Sequence, residues 1–211
     1  MDRARTAAHC CAYDLYKLVT KPKMLAVLFL VFLYMENTVR PVADFLADKN
    51  VNINALGLFM CLFCDVFFVL IAGLGLLFLF ADAPFFDDCQ QYVLLRTGKG
   101  AWAWGQVLYI FVGTLLYLLV LFALMLLILA PRVTFSNEWG KALNTLMQTD
   151  MGDRYDIAIG FYRQILAEYA PGTGLLFAMG LRVMAYSTCV YLMFVVNFCL
   201  RMKIGVLFSA M

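Results

Sequence analysis

The stretch from Val107 to Leu129 contains no charged residue, and three further apolar runs, at Met24–Val39, Ala55–Phe80 and Gly174–Leu200, share the chain with it. A helix needs about 20 apolar residues to cross a hydrocarbon core about 30 Å thick. Four such runs cannot be hidden together inside a water-soluble fold of 211 residues. Composition agrees: 64% of residues are hydrophobic and 14% charged, against about half and a quarter in soluble domains. Mean hydropathy is +0.85. The apolar residues run continuously rather than alternating, which excludes the dyad pattern of an outer-membrane barrel. The sequence therefore predicts an all-α, polytopic helical membrane protein, with residues 1–211 forming a single transmembrane domain.

Residues 1–23 place Ala8, Cys11, Ala12, Leu15 and Val19 on one helical stripe, with Arg3, Arg5, Lys17, Lys21 and Lys23 elsewhere. This is the pattern of a helix lying on a membrane surface. Span one, 24–39, offers about 16 residues, or about 24 Å at helical rise, so Lys23 and Arg40 must snorkel to bracket it. A cleaved signal peptide is the rival reading of this leader and core, but MENTVRPVADFLAD lacks a small-x-small cleavage site close behind the core. Span two, 55–80, is expected as one long tilted helix interrupted by Asp65. Span three, 102–130, has Trp102 and Trp104 as an interfacial anchor and Pro131 as its stop. Span four, 174–200, carries Arg182 in its first half. Residues 204–211 read as the start of an incomplete fifth span, eight residues reaching about 12 Å.

With four spans both ends fall on one side, together with Arg3, Arg5, Lys17, Lys21, Lys23, Arg96, Lys99, Arg201 and Lys203. The opposite short loop holds Arg40 and Lys49. The positive-inside rule makes the ends cytoplasmic and the membrane the inner, cytoplasmic one. The external segment 132–172 has room for two short amphipathic helices: one capped by Ser136 and running to Met147, another started by Asp153 or Asp156 with Ile157, Phe161, Ile165 and Leu166 on a stripe.

Several functions have little support in the residues. The net charge of +2 is spread along the chain without aromatic platforms, against nucleic-acid binding. Cys61 and Cys64 have the spacing of half a zinc site, but the one histidine is His9, far away in sequence, so no metal and no cofactor is expected. The same lone histidine lacks a carboxylate orienter or nucleophile motif, which disfavours a hydrolase. Seven cysteines occur, and none need be bridged. No glycine-lysine phosphate loop is present, so the chain is not expected to hydrolyse ATP itself.

Between spans two and three lies ADAPFFDDCQQYVLLRTGKGAWAWGQ. Asp82 can cap a helix with Pro84 in its first turn, Asp87 and Asp88 favour its dipole, and Arg96 sits late, which predicts a short helix within 84–97. Gly98 and Gly100 permit the turn before Trp102. Phe85, Phe86, Tyr92, Val93, Leu94 and Leu95 are more apolar than a solvated helix requires; they call for a partner or for the protein's own helix ends. The order Asp-Ala-Pro-Phe, acids, apolar patch, Leu-Arg-Thr-Gly, Trp and Gly-Gln resembles the permease subunits of ATP-binding-cassette transporters, and more narrowly the type-two exporter permease family. The likeness covers most of the chain, including Phe135-Ser136-Asn137-Glu138-Trp139 outside span three and Asn197 late in span four.

The resemblance implies that this connection is the cytoplasmic coupling helix that docks on a partner ATPase, a role falling on Asp87, Asp88, Tyr92, Leu95, Arg96 and Gly98. It implies a homodimer or a pairing with a sister permease, and export of a substrate the sequence does not identify. Such permeases usually have six spans, so this chain departs from the pattern and reads either as truncated after the fourth or as a shortened relative. A membrane scaffold or assembly protein without transport of its own is the alternative that this departure leaves open. Finally, Asp65 and Arg182 lie at matching depth within their runs. They are expected either to form an intramembrane ion pair or line a polar cavity, or to sit in the outer headgroup zone if both spans begin later.

Overall fold

The computed structural model describes residues 3–83, 95, 97–149, 151–160, 164 and 168–209. The expected helix within 84–97 lies almost wholly outside the described residues, as do Asp87, Asp88, Tyr92 and Arg96 and the stripe residues Phe161, Ile165 and Leu166. The fold is all-helical. In chain order the elements are α1 (Arg3–Thr20), α2 (Pro22–Lys49), β1 (Ile53–Asn54), α3 (Ala55–Leu62), α4 (Val66–Phe80), α5 (Lys99–Leu129), β2 (Val133–Thr134), α6 (Gly140–Gln148), α7 (Met151–Arg154) and α8 (Pro171–Ser209). The two short strands pair in parallel, Ile53 with Val133 and Asn54 with Thr134.

Among the described residues three helices are long and apolar enough to cross a membrane: α2, α5 and the Pro171–Phe198 part of α8. The second run is not the single helix expected over 55–80. It breaks between α3 and α4, which meet at 82° and make a fourth span only if the bent pair is counted as one. α2 runs well past the expected limit at Val39 and carries Pro41 inside it. Its buried stripe explains the length, since Val31, Met35, Val39, Val42 and Leu46 recur at helical spacing across the proline. Arg40 and Glu36, one turn apart, pair at 3.0 Å on the exposed side. α8 is continuous through Ser209, so the stretch from 204 prolongs that helix instead of opening a separate one.

The chain divides into two compact units. The first comprises Met1–Val27, Leu74–Tyr117 and Val183–Met211. In it α1 packs on α5 through small residues: a Cβ built on Gly105 would stand 2.8 Å from the Cys10 Cβ and 3.1 Å from the Ala7 carbonyl. Gly113 is likewise filled by the Phe80 ring, which tilts against Tyr109 at 5.2 Å. The buried face of α1 is therefore Ala7, Cys10, Cys11, Asp14 and Leu18. It is offset by about one residue from the expected stripe, of which Ala8, Ala12 and Val19 are exposed. Hydrophobicity alone misplaced the face because close approach to Gly105 selects the small residues, and because Asp14 is buried with a partner, receiving a hydrogen bond from Gln106 Nε2 at 2.5 Å.

The second unit comprises Leu28–Gly73 and Leu118–Arg182. Its end away from the break is organised by Asn54, 1% exposed. The Asn54 Oδ1 accepts from Leu56 N and caps α3, while its Nδ2 donates to the Ser136 and Glu138 carbonyls at 2.8 and 2.7 Å. Those bonds hold residues 136–138 out of a helix. α6 consequently starts at Gly140 and not at Ser136, whose hydroxyl bonds the Glu138 carbonyl instead. Gly140 takes φ +74, a conformation that favours glycine. α6 docks over Gly57, where a Cβ would meet Leu143 Cδ1 at 2.7 Å. Neither Asp153 nor Asp156 starts a helix: Asp153 lies inside the single turn of α7, and Asp156 follows it at φ +53.

Replacing Gly105 with Leu is expected to push α1 off α5 while leaving α5 helical. Cys10, buried here, should then react with maleimide at a rate approaching that of an exposed thiol, and unchanged protection at Cys10 would contradict the packing described.

Candidate functional site

The break in the second apolar run gathers Asp65 and Arg182, the two charged residues of the second unit read as lying inside apolar runs. Phe63 ends α3 with its N–H bonded back to Phe59 and Met60, and the turn tightens through Cys64 N to Cys61 O at 2.9 Å and Asp65 N to Leu62 O at 3.2 Å. A continuous helix would next bond Phe67 N–H to the Phe63 carbonyl. Here Phe67 N–H donates to the Asp65 carboxylate at 2.9 Å, and the Phe63 carbonyl accepts from Arg182 Nη2 at 2.7 Å. Two charged side chains thus replace one backbone hydrogen bond.

Each charge also suits the helix end it serves. Asp65 is anionic at the N-terminus of α4, and Arg182 is cationic at the C-terminus of α3, both favourable to the helix dipoles. The matching depth read from the sequence is therefore real in its consequence but not in its cause. Asp65 and Arg182 form no direct ion pair among the described residues; they meet at one break because each satisfies a different half of it. Of the two alternatives read from the sequence, a later start applies to α4, at Val66, and not to α8, at Pro171. Aromatic rings close around the break, with Phe59 against Phe63 at 4.7 Å and against Phe122 at 5.0 Å.

The first unit holds the ends of the segment expected to couple to a partner. Past α4, the carbonyls of Ala81 and Ala83 both accept from Asn197 Nδ2, at 3.0 and 3.1 Å. Asp82 between them is bonded by Lys21 at 3.3 Å and Lys23 at 3.4 Å, and Lys23 also lies over the Phe78 ring. Burial alone would raise the Asp82 carboxyl, but the two lysines outweigh it and hold it below its ordinary value. On the far side of the segment Leu95 is 83% exposed, and Gly98 takes φ +80 and accepts from Trp102 N at 3.2 Å as α5 begins. Asp87, Asp88, Tyr92 and Arg96 lie outside the described residues.

Sequence reasoning left three side chains unassigned that the structure makes central: Asp14, Asn54 and Gln106. Each is buried. Gln106 belongs to the Gly-Gln that ends the connection, with no role attached to it, and Asp14 and Asn54 sit in no motif; the signal each offered was a polar residue within or beside an apolar pattern. Nucleophilic chemistry gains nothing from the buried thiols. Burial, followed by the neighbouring Asp14 carboxylate, pushes the Cys10 and Cys11 thiols up, away from the reactive thiolate. Among the described residues no cluster of three metal-binding side chains exists.

If the two charges act as separate caps, Asp65→Asn should keep the fold near wild type while Asp65→Ala loses about 1 kcal/mol. Arg182→Leu should cost about 1–3 kcal/mol by leaving the Phe63 carbonyl unpaired. The charge exchange Asp65→Arg with Arg182→Asp should not restore stability, all measured by unfolding in mixed detergent micelles. A second expectation concerns pH. A carboxyl lowered in the fold stabilises it above the unfolded value and loses that contribution as pH falls through the lower folded value. Acidification from about pH 5 to pH 2 should therefore release Asp82 from its lysines, and Lys21→Gln with Lys23→Gln should flatten that part of the stability profile.

Comparison of the chain with family models, with characterised proteins and with solved structures finds no match.

Proposed function

We propose that the chain is the membrane-spanning permease subunit of an ATP-binding-cassette exporter, resident in the inner membrane with both ends cytoplasmic. The observation that carries this reading is the anchoring of the turn at 81–83. Lys21 and Lys23 hold Asp82 from the junction of α1 and α2, and Asn197 holds the flanking carbonyls from α8. A segment that only joined two spans would not need such a root. One that receives a push from a partner does, because force applied between residues 84 and 97 passes through these bonds to α2 and α8.

The far end has the complementary property. Leu95 presents a large apolar side chain to solvent, which fits a hydrophobic contact made by a second protein. Gly98 then turns the chain into α5 without a Cβ in the left-handed region. In this reading the ATPase is a separate chain, the permease pairs with a second copy or a sister subunit, and Asp87, Asp88, Tyr92 and Arg96 complete the docking surface with Leu95. The permease supplies the pathway and no reaction chemistry of its own.

Affinity purification of the full chain from solubilised membranes should recover an ATP-binding-cassette ATPase in stoichiometric amount. Leu95→Asp and Arg96→Glu should each reduce that recovery about tenfold or more, as expected for a contact residue near the centre of an interface. Undiminished binding by both variants would remove the coupling role and leave a membrane scaffold as the better reading.

A further inference from the structure

Cys61 and Cys64 stand on the two halves of the break in the second unit, and both are free thiols. Cys61 lies in the last turn of α3, 1% exposed among other buried residues. Cys64 lies outside both helices, in the turn that leads to α4, and is partly open. The turn joins them directly, because Cys64 N–H donates to the Cys61 carbonyl at 2.9 Å. Such a closure between residues three apart keeps their Cα atoms within about 7 Å, and a disulfide needs roughly 4.4–6.8 Å.

Spacing alone would not suffice. Side chains three apart on an unbroken helix keep their Cβ atoms about 5–6 Å apart, against about 3.8 Å in a disulfide, and the helical bonds on either side resist the difference. Here those bonds are interrupted. Phe63 is the C-cap of α3, its carbonyl accepts from Arg182, and the Phe67 N–H donates to Asp65. The Cys61 half is fixed, since the neighbouring Met60 packs on α8 so closely that a Cβ on Gly174 would stand 2.5 Å from its sulfur. The Cys64 half is looser: its thiol bonds the Met60 carbonyl at 3.6 Å, and Val66 and Phe67 beyond it are exposed. Cys10 and Cys11 offer no such pair, because both are buried and adjacent positions on a helix do not face each other.

We propose that Cys61 and Cys64 form a reversible dithiol–disulfide pair whose closure repositions the break. The oxidant is a small disulfide, and the reaction is thiol–disulfide exchange. Cys64, the open thiol, attacks one sulfur of the oxidant as thiolate, giving a mixed disulfide and releasing the first small thiol. The Cys61 sulfur then attacks the Cys64 sulfur and expels the second. One sulfur–sulfur bond forms in the protein and one is broken in the oxidant, which takes up two electrons and the two cysteine protons. Closure draws the Cβ atoms together by about 1–2 Å. With Cys61 fixed, Cys64 moves and takes the start of α4 with it, so the 82° bend differs between the two forms.

Treatment of the folded, full-length protein in detergent with 2-hydroxyethyl disulfide tests this, followed by denaturation in N-ethylmaleimide and peptide mass spectrometry. The wild-type peptide holding both cysteines should take up no maleimide and weigh two hydrogens less than the dithiol. Closed peptide should exceed the mixed disulfide at Cys64 by about tenfold or more, because the second step is intramolecular. Cys61→Ser should stop at the mixed disulfide on Cys64, and Cys64→Ser should leave Cys61 about tenfold less modified, because it is buried. Amide hydrogen exchange over 64–68 should differ between the closed protein and the same sample reduced with dithiothreitol. Two maleimides on the treated wild-type peptide, equal modification of the remaining cysteine in the two variants, linkage of either cysteine to a third, or identical exchange over 64–68 would each overturn the proposal.

Discussion

A buried backbone amide or carbonyl must be bonded, and in an apolar surrounding the partner must come from the protein. That constraint governs the break between α3 and α4. The Phe67 N–H and the Phe63 carbonyl, which would bond one another in an unbroken helix, are each given a charged side chain. With both satisfied, the 82° bend costs the fold no orphaned group at those positions. Asp65 and Arg182 are tolerated in apolar runs for the same reason: each finds a backbone dipole of the right sign. An ion pair would have neutralised them but left the Phe63 carbonyl and the Phe67 N–H open.

The same rule recurs at several other polar side chains. Asn54 closes three bonds at once, capping α3 and gathering the Ser136 and Glu138 carbonyls. Arg132 reaches the Leu46 carbonyl at the end of α2, and Trp139 donates through Nε1 to the Tyr169 carbonyl. In the first unit Asn197 takes the two carbonyls beyond α4. These contacts are side chain to backbone and bridge residues far apart in the chain, so they fix where helices stop. Apolar packing fixes which faces meet, and glycines such as Gly57 and Gly105 set how closely.

For function, the two units carry different features. The first contains the rooted turn at 81–83 and, at the far end of the connection, the exposed Leu95. The second contains the break and its caps, whose residues are committed to structure. Charge inside an apolar run is by default a sign of a functional site; here backbone satisfaction accounts for Asp65 and Arg182, which shifts attention to the anchored turn at 81–83.

The sequence by itself determined that the chain is helical and membrane-type, because uncharged apolar runs of sufficient length have no other stable state. It also marked Asp65 and Arg182 as unusual, since each interrupts an apolar run, and Leu95 as one of an apolar patch in the connection that Asp82 begins. Only the tertiary structure decided that Asp65 and Arg182 are caps and not partners, that α2 continues through Pro41, that α6 waits until Gly140, and that α1 buries Asp14 with Gln106. The caps, the start of α6 and the Asp14 pairing depend on groups 82 to 119 positions away, as with Asn54 on Ser136, Gln106 on Asp14 or Arg182 on Phe63. Periodicity and capping rules sample one turn of helix, so a hydrogen bond supplied from another element lies beyond their reach.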